Sequence, residues 1–376
     1  MKLTDICEFQ GGSQPPKNEW SDEPRDGYIR MLQIRDYTQD NSNVEYIKVT
    51  NSTKMCEEKD ILIARYGASI GKILTGLSGA YNVAMMKVII DEKRVDRNYI
   101  YNFFKSNIFQ RYIKNVGQRA AQAGFNKEEL SKININIPNL DEQRKITQKI
   151  DKISEVIAIR KEQINELDKL IKSQFVEMFG DPLINSKKLK TEKLGDICKI
   201  YRGASPRPIT KYLNGTIPWI KIGDATNGDN IYLNDTKEKV TEEGAKKSRL
   251  IKKGSLIFAN CGVSLGFARI INFDGCIHDG WLAFEDFENI LNPIFLLQSL
   301  NFCTEHFRNI APDGTQPNLN TGIMKEYNQI IPNMEKQNQF VSFVKQVDKQ
   351  KFEIQKSLKE MQLLQESLMD KYFGEM

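Results

Sequence analysis

The chain states its architecture twice. Residues 61–73, ILIARYGASIGKI, return at 256–270 as LIFANCGVSLGFARI, with Gly67, Ser69 and Gly71 answered by Gly262, Ser264 and Gly266. KLTDICEFQGG (2–12) returns as KLGDICKIYRGA (193–204), and GQRAAQAGFN (117–126) as PDGTQPNLN (312–320). Ile137-Pro138 matches Ile331-Pro332, Glu142-Gln143 matches Lys336-Gln337, and Phe179-Gly180 matches Phe373-Gly374. Offsets held near 191 to 195 residues across a chain of 376 mean a tandem duplication. Between these anchors the copies diverge, as in GAYNVAMMKV (79–88) against GCIHDGWLAF (275–284). A kept frame with changed loops is what two recognition sites of different specificity on one scaffold would show. Plain drift after duplication leaves the same trace.

Each copy closes on a long amphipathic segment. Ile146, Ile150, Ile153, Ile157, Ile164, Leu167, Ile171, Phe175 and Met178 fall at steps of three, four and seven, and Phe340, Val344, Val347, Ile354, Leu358, Met361, Leu368 and Tyr372 repeat that rhythm. Gly180 and Gly374 stand just past these runs, where a left-handed cap is favoured, and Pro182 prevents a restart. A helix over 141–179 spans roughly 57 Å, too long for one small domain. Two such helices, each with an apolar stripe, satisfy both stripes by pairing. Antiparallel pairing then gives two globular α+β domains, 1–140 and 182–335, separated by two long spacer helices, 141–181 and 336–376, in a coiled coil with a pseudo-two-fold axis. Within the domains, short β-branched runs at 61–64, 87–90, 219–222 and 255–259 read as strands between Gly, Asn and Asp turns, and single helices are expected over 98–116 and 293–310.

Composition sets the class. No long uncharged apolar run and no apolar leader core are present, so a cytoplasmic protein without a membrane span is expected. The six cysteines are unpaired in sequence and read as reduced core thiols. With two histidines and no C-x-x-C, a zinc site is not expected. The net charge of +5 tolerates nucleic acid as a partner without demanding it.

Chemistry-bearing motifs fail on inspection. A phosphate-cradling P-loop needs four residues between its glycines and Ser or Thr after the lysine; here three separate Gly67 from Gly71, and Ile73 follows Lys72. Pro15-Pro16 lacks the Asn or Asp and the aromatic residue that would flank it in an adenine methyltransferase. Asp91-Glu92-Lys93 is answered by Glu285-Asp286-Phe287, so the acidic-x-Lys half of a nuclease site is not repeated. His278-Asp279 has no nucleophile placed by motif. The residues thus leave open a nucleic-acid reader, a coiled-coil scaffold that binds proteins, and an enzyme whose site follows no familiar pattern.

The two segments GQRAAQAGFNKEELSKININIPNLDEQRKI (117–146) and DGTQPNLNTGIMKEYNQIIPNMEKQNQF (313–340), joined to two divergent domains and two similar long helices, resemble the specificity subunit of a type I restriction-modification system. The family's Gly- and Gln-rich turn and Ile-Pro-x-(Leu/Ile)-x-x-Gln helix start are matched by Gly117, Gln118, Gln122, Ile137, Pro138, Leu140 and Gln143, and by Gly314, Gln316, Ile331, Pro332, Met334 and Gln337. Its domain openings are matched by 3–6 with Gly12-Ser13 and by 194–197 with 203–206; the first copy departs by reading GSQPP. The resemblance covers the chain end to end. It implies a non-catalytic subunit whose two target recognition domains each read half of a bipartite DNA sequence. It further implies helices that set the spacing and dock two adenine-methylating modification subunits, with restriction subunits completing the complex. S-adenosylmethionine, ATP and Mg²⁺ would then belong to the partners, and this chain would hold no cofactor or metal of its own.

Base reading calls for long polar side chains on loops: Arg or Lys toward guanine, Asn or Gln toward adenine. The candidates are Gln33 and Arg35 with Lys221 and Asp224; Tyr66 and Ser69 with Asn260 and Ser264; Tyr81 and Asn82 with His278 and Asp279; and Arg119 and Gln122 with Gln316 and Asn318. Lys72 and Arg207 are added as phosphate or base contacts. The Gly-x-Ser-x-Gly runs read as strand-to-strand turns kept for backbone shape.

Overall fold

The computed structural model describes residues 1–39, 43–119, 124–226, 231–312 and 318–374. Two compact units emerge, residues 1–162 with 354–376 and residues 163–353. Each unit therefore holds one globular domain and a share of both long helices.

In the first unit a four-stranded antiparallel sheet has the order Cys7–Gly11, Met85–Ile90, Ile61–Ala64, Ile73–Leu74. A second sheet runs Trp20–Ser21, Tyr46–Lys48, Tyr28–Leu32, Gly79–Tyr81, Met55–Cys56, with Tyr28–Leu32 and Gly79–Tyr81 parallel. The second unit repeats the plan: Leu256–Ala259 lies between Trp281–Glu285 and Ala268–Ile271 in one sheet, and Leu213–Ile220 pairs in parallel with Gly275–Ile277 in the other. The strand Ile61–Ala64 is apolar at every position because it faces two cores. Ile61 and Ile63 join Phe9, Phe103 and Phe109 on one side, while Leu62 and Ala64 join Leu32 and Tyr81 on the other. Leu256 and Phe258, against Ile257 and Ala259, divide in the same way.

The glycine runs are hairpin turns in both copies. Gly67 and Gly71 have φ of 67° and 81°, and Gly262 and Gly266 have 71° and 95°. Ala64 N–H donates to Lys72 O and Gly71 N–H to Ala64 O; Ala259 N–H to Phe267 O and Gly266 N–H to Ala259 O repeat both bonds. A Cβ on Gly266 would lie 3.0 Å from Thr304 O in a left-handed backbone. Gly266→Ala is accordingly expected to destabilise the second unit by about 1–3 kcal/mol, read as a lower urea midpoint.

Two expectations need correction. The single helices expected over 98–116 and 293–310 are each broken, into Arg97–Lys105 and Asn107–Arg119, and into Pro293–Phe302 and Thr304–Ile310. Ser106 is extended, with φ −63° and ψ 149°; its Oγ donates to Phe103 O at 2.6 Å and accepts from Phe109 N–H. That hydroxyl closes one helix and opens the next. The strand read over 219–222 stops at Ile220, because Asp224 Oδ2 accepts Lys221 N–H at 2.8 Å and starts the short helix Ile222–Ala225.

The long helices span Leu140–Phe179 and Met334–Phe373, 40 residues each. Asn139 and Asn333 cap them, accepting Glu142 N–H at 3.0 Å and Lys336 N–H at 2.9 Å. Three residues inside each helix a fully buried glutamine ties its start to the domain. Gln143 Nε2 donates to Pro138 O and Arg94 O, and its Oε1 accepts Asp96 N–H; Gln337 Nε2 donates to Pro332 O and Ile290 O, and its Oε1 accepts Asn292 N–H. Asp96 and Asn292 are themselves the caps of Arg97–Lys105 and Pro293–Phe302. One side chain thus joins two helix starts, which accounts for the Ile-Pro-x-x-x-x-Gln pattern.

Within each unit the helices pair antiparallel. Gln365 Nε2 donates to Ser154 Oγ at 2.6 Å in the first unit, and Lys351 Nζ meets Asp168 Oδ1 at 2.6 Å in the second. Of the seam residues, Ile146, Ile150, Ile157, Ile171 and Val347 are buried, and Ile153, Ile164, Leu167, Ile354, Leu358, Met361 and Leu368 half-buried. The seam is therefore occupied by the chain's own packing. Cys7 and Cys198 are core thiols whose pKa burial pushes up to about 12, and all six cysteines are free.

Candidate nucleic-acid interface

In the first unit four loops meet at the end of the strand Gly79–Tyr81. Gly12 lies against Asn82, so closely that a Cβ there would be 2.1 Å from Asn82 O. Ser13 N–H donates to Tyr81 O, and Asn82 N–H to Leu32 O, just before Gln33. Arg65 N–H donates to Ala84 O, its side chain bonds Phe125 O and Val83 O, and Tyr66 bridges Gly124 in the turn before the long helix. In the second unit a Cβ on Gly203 would meet His278 O in the same way, Ala204 N–H donates to Ile277 O, and His278 N–H to Ile220 O. Asn260 N–H donates to Gly280 O, and Cys261 bridges Asn318. The backbone frame of the loop cluster is therefore kept bond for bond.

Those bonds equate Asn82 with His278, Arg65 with Asn260, Tyr66 with Cys261 and, through their caps at Asp36 and Asp224, Gln33 with Lys221. The loops named from the sequence meet here, but several of the named residues are not presented. Tyr81 is fully buried, with its hydroxyl donating to Gln10 Oε1 at 3.0 Å, and Asn260 is fully buried with Nδ2 on Asn318 Oδ1. Both are structural where they stand. Asn82 is 8% exposed, its Oδ1 accepting Ala84 N–H. Ser69 and Ser264 are half-buried in the glycine turns, Tyr66 and Lys72 are exposed, and Arg119 ends its helix. Gln122 and Gln316 lie outside the described residues.

Around equivalent acidic residues the two clusters differ in charge arrangement. In the first, Glu45 takes Lys17, Gln33 and Arg35. Burial pushes its carboxyl pKa upward, but the bonds from Lys17 and Gln33 and the charges of Lys17 and Arg35 outweigh it and hold it below the ordinary value. In the second, Glu238 pairs with Lys221 alone among these positions, while Asp279 accepts Ser205 Oγ at 2.6 Å and lies 3.5 Å from Arg207. Burial lowers the pKa of His278, and its Nδ1 accepts Gly280 N–H at 2.7 Å. It is not placed as a base with Asp279 as orienter. The sequence reading missed Lys17, Glu45, Arg65 and Glu238. The arginine, which stands 4.9 Å over the Tyr66 ring, was visible as the register partner of Asn260; the glutamates sit in loops without a shared motif.

Among the described residues there is no metal-binding cluster of His, Cys, Asp and Glu, and no helix long and apolar enough to cross a membrane. Apolar side chains do remain exposed on the long helices: Ile159 and Leu363 in the first unit, Leu170, Val176 and Phe352 in the second.

Comparison with known proteins agrees with this geometry. The type I restriction modification DNA specificity domain matches twice, over residues 1–169 and 186–363, and the chain belongs to that family. The type I restriction enzyme MjaIX specificity subunit of Methanocaldococcus jannaschii is 24% identical over 100% of this chain and 92% of its own length. The MjaVIII specificity subunit of the same organism is 20% identical over 96% and 90%. A chain from a structural study of complex assembly and conformational transition of the type I R-M system superposes with a TM-score of 0.61 at 16% identity, covering 100% of this chain and 97% of its own. The crystal structure of a type I restriction-modification S subunit from M. genitalium gives 0.56, also at 16% identity, over 100% and 96%. The fold is thus two tandem α+β specificity domains with two long antiparallel helices, and the chain is a DNA-specificity subunit.

Proposed function

We propose that the loop clusters of residues 1–140 and 182–335 are two target recognition domains, each reading one half of a bipartite duplex target. The spacer helices, Leu140–Phe179 and Met334–Phe373, fix the separation of the halves and dock two modification subunits, with restriction subunits joining the full complex. The chain itself catalyses nothing; S-adenosylmethionine, ATP and Mg²⁺ act in the partners. The observation that carries this reading is the kept backbone frame with changed side chains: Gln33 against Lys221, Arg65 against Asn260, Asn82 against His278. Two readers of unlike sequences require such exchanges at matched positions. For docking, the exposed Ile159, Leu170, Val176, Phe352 and Leu363 serve better than the seam, which is already packed.

Exchanging residues 1–140 for the corresponding domain of another family member is the test. Methylated adenines mapped genome-wide should change in one half of the target only. Change in both halves, or in neither, would refute the modular reading. Affinity should also fall with salt by about 0.9 log units per log unit for each phosphate contacted.

A further inference from the structure

Beside the second loop cluster lies a recess of about 620 Å³, within the roughly 300–1,000 Å³ of small-ligand sites. Its walls are apolar: Pro206, Pro208, Ile209 and Trp219, the last only 2% exposed. Among its polar lining residues Lys221 and Glu238 are paired with each other, and Ser205, Thr210 and His278 complete the wall. Arg207, with its side chain 83% exposed, stands at the rim, tethered by Asp279, which Ser205 holds. Apolar walls, one donor beside one acceptor, and a cation at the edge match what an unstacked nucleobase and its backbone phosphate need. The equivalent carboxylate of the first unit is committed elsewhere: Lys17, Gln33 and Arg35 all bind Glu45, and Lys17 also lies 3.9 Å over the Trp20 ring.

We propose that this recess holds one base of the second half-site, swung out of the duplex, and that the base carries an exocyclic amino group. Glu238 accepts from that amino group, and Lys221 donates to the ring nitrogen or carbonyl beside it. Adenine, cytosine and guanine each present such a neighbouring pair. Thymine offers only its N3–H, flanked by two carbonyl oxygens that repel the carboxylate, and is disfavoured. Pro208 and Ile209 cover the base over a floor that Trp219 forms, and Arg207 holds the flanking phosphate. This inference rests on the DNA-reading role proposed above, and the base it concerns is held by this chain, apart from any adenine bound by a modification subunit.

The test uses the full chain with its co-purified methyltransferase subunits, on duplexes carrying the mapped target. Fluorescent base analogues (2-aminopurine, pyrrolocytosine, 6-methylisoxanthopterin) are placed singly through the second half-site, and permanganate reports unstacked thymines. Apart from the adenine that a modification subunit takes for methylation, one position should brighten several-fold on binding, at a natural adenine, cytosine or guanine. Ile209→Trp, which fills the recess, should abolish the rise. Glu238→Gln should weaken binding to the matched site about tenfold or more while leaving a site altered at that base pair unaffected. Specific binding with no such brightened position, brightening there that survives Ile209→Trp, unchanged matched-site affinity in Glu238→Gln, or permanganate reactivity at a thymine whose partner base stays dark would each overturn the pocket while leaving the reader intact. Absence of any sequence-specific binding by the wild-type complex would remove the reader and the pocket with it.

Discussion

Gln337→Leu is expected to destabilise the second unit by about 3–5 kcal/mol, and Gln143→Leu the first by a similar amount. Each glutamine is fully buried and makes three hydrogen bonds, to Pro332 O, Ile290 O and Asn292 N–H in one unit and to Pro138 O, Arg94 O and Asp96 N–H in the other. Leucine fits the volume but strands two carbonyls and one amide, and a buried group left without its partner costs about 1–3 kcal/mol. Native-state hydrogen exchange reads the peptides of each unit separately, so the loss should be confined to the unit that carries the substitution. Lys336→Ala, on an exposed side chain one residue away, should stay within about 0.5 kcal/mol. Equal effects of the glutamine and lysine substitutions would show that the tie between domain and helix is not where the stability lies.

Phe179→Ala and Phe373→Ala should cost about 3–5 kcal/mol each. These repeat partners end the two long helices, and each end is buried in an aromatic cluster. Phe179 lies 5.2 Å from Phe175, 5.0 Å from Phe295 and 5.5 Å from Phe340 between ring centroids; Phe373 lies 5.1 Å from Tyr99 and 5.8 Å from Phe103. Truncation removes the ring's burial and leaves a hole that the flanking helix Pro293–Phe302 or Arg97–Lys105 cannot close without moving. Urea denaturation should show the lower midpoint. Leucine at either position should restore about half of the loss, since it recovers volume without the edge-to-face contacts. A loss under about 1 kcal/mol in both alanine variants would mean that the helix ends are not anchored by these rings.

What was legible in the sequence follows from periodicity and backbone chemistry. The duplication, the two helical seams, the Ile61–Ala64 strand and the glycine turns are local patterns, and local patterns carry their own geometry. Gly67 and Gly262 take without strain the positive φ that their turns require, so shape could be read before function. The candidate site was legible only as a set of loops. Tyr81 and Asn260 looked like readers because they are polar residues in variable loops, yet the sheet turns both inward. Glu45 collects Lys17, Gln33 and Arg35 from three separate segments, and no spacing rule announces such a meeting.

By itself the sequence determined that the chain is two copies of one α+β frame joined to long helices, because repeat, amphipathic period and glycine are properties of neighbouring residues. Tertiary structure alone decided which side chains face outward and which acids neutralise which bases. It also decided that Pro206, Ile209, Trp219 and Glu238 share one recess, since burial and charge pairing are set by residues distant in the chain that folding brings together.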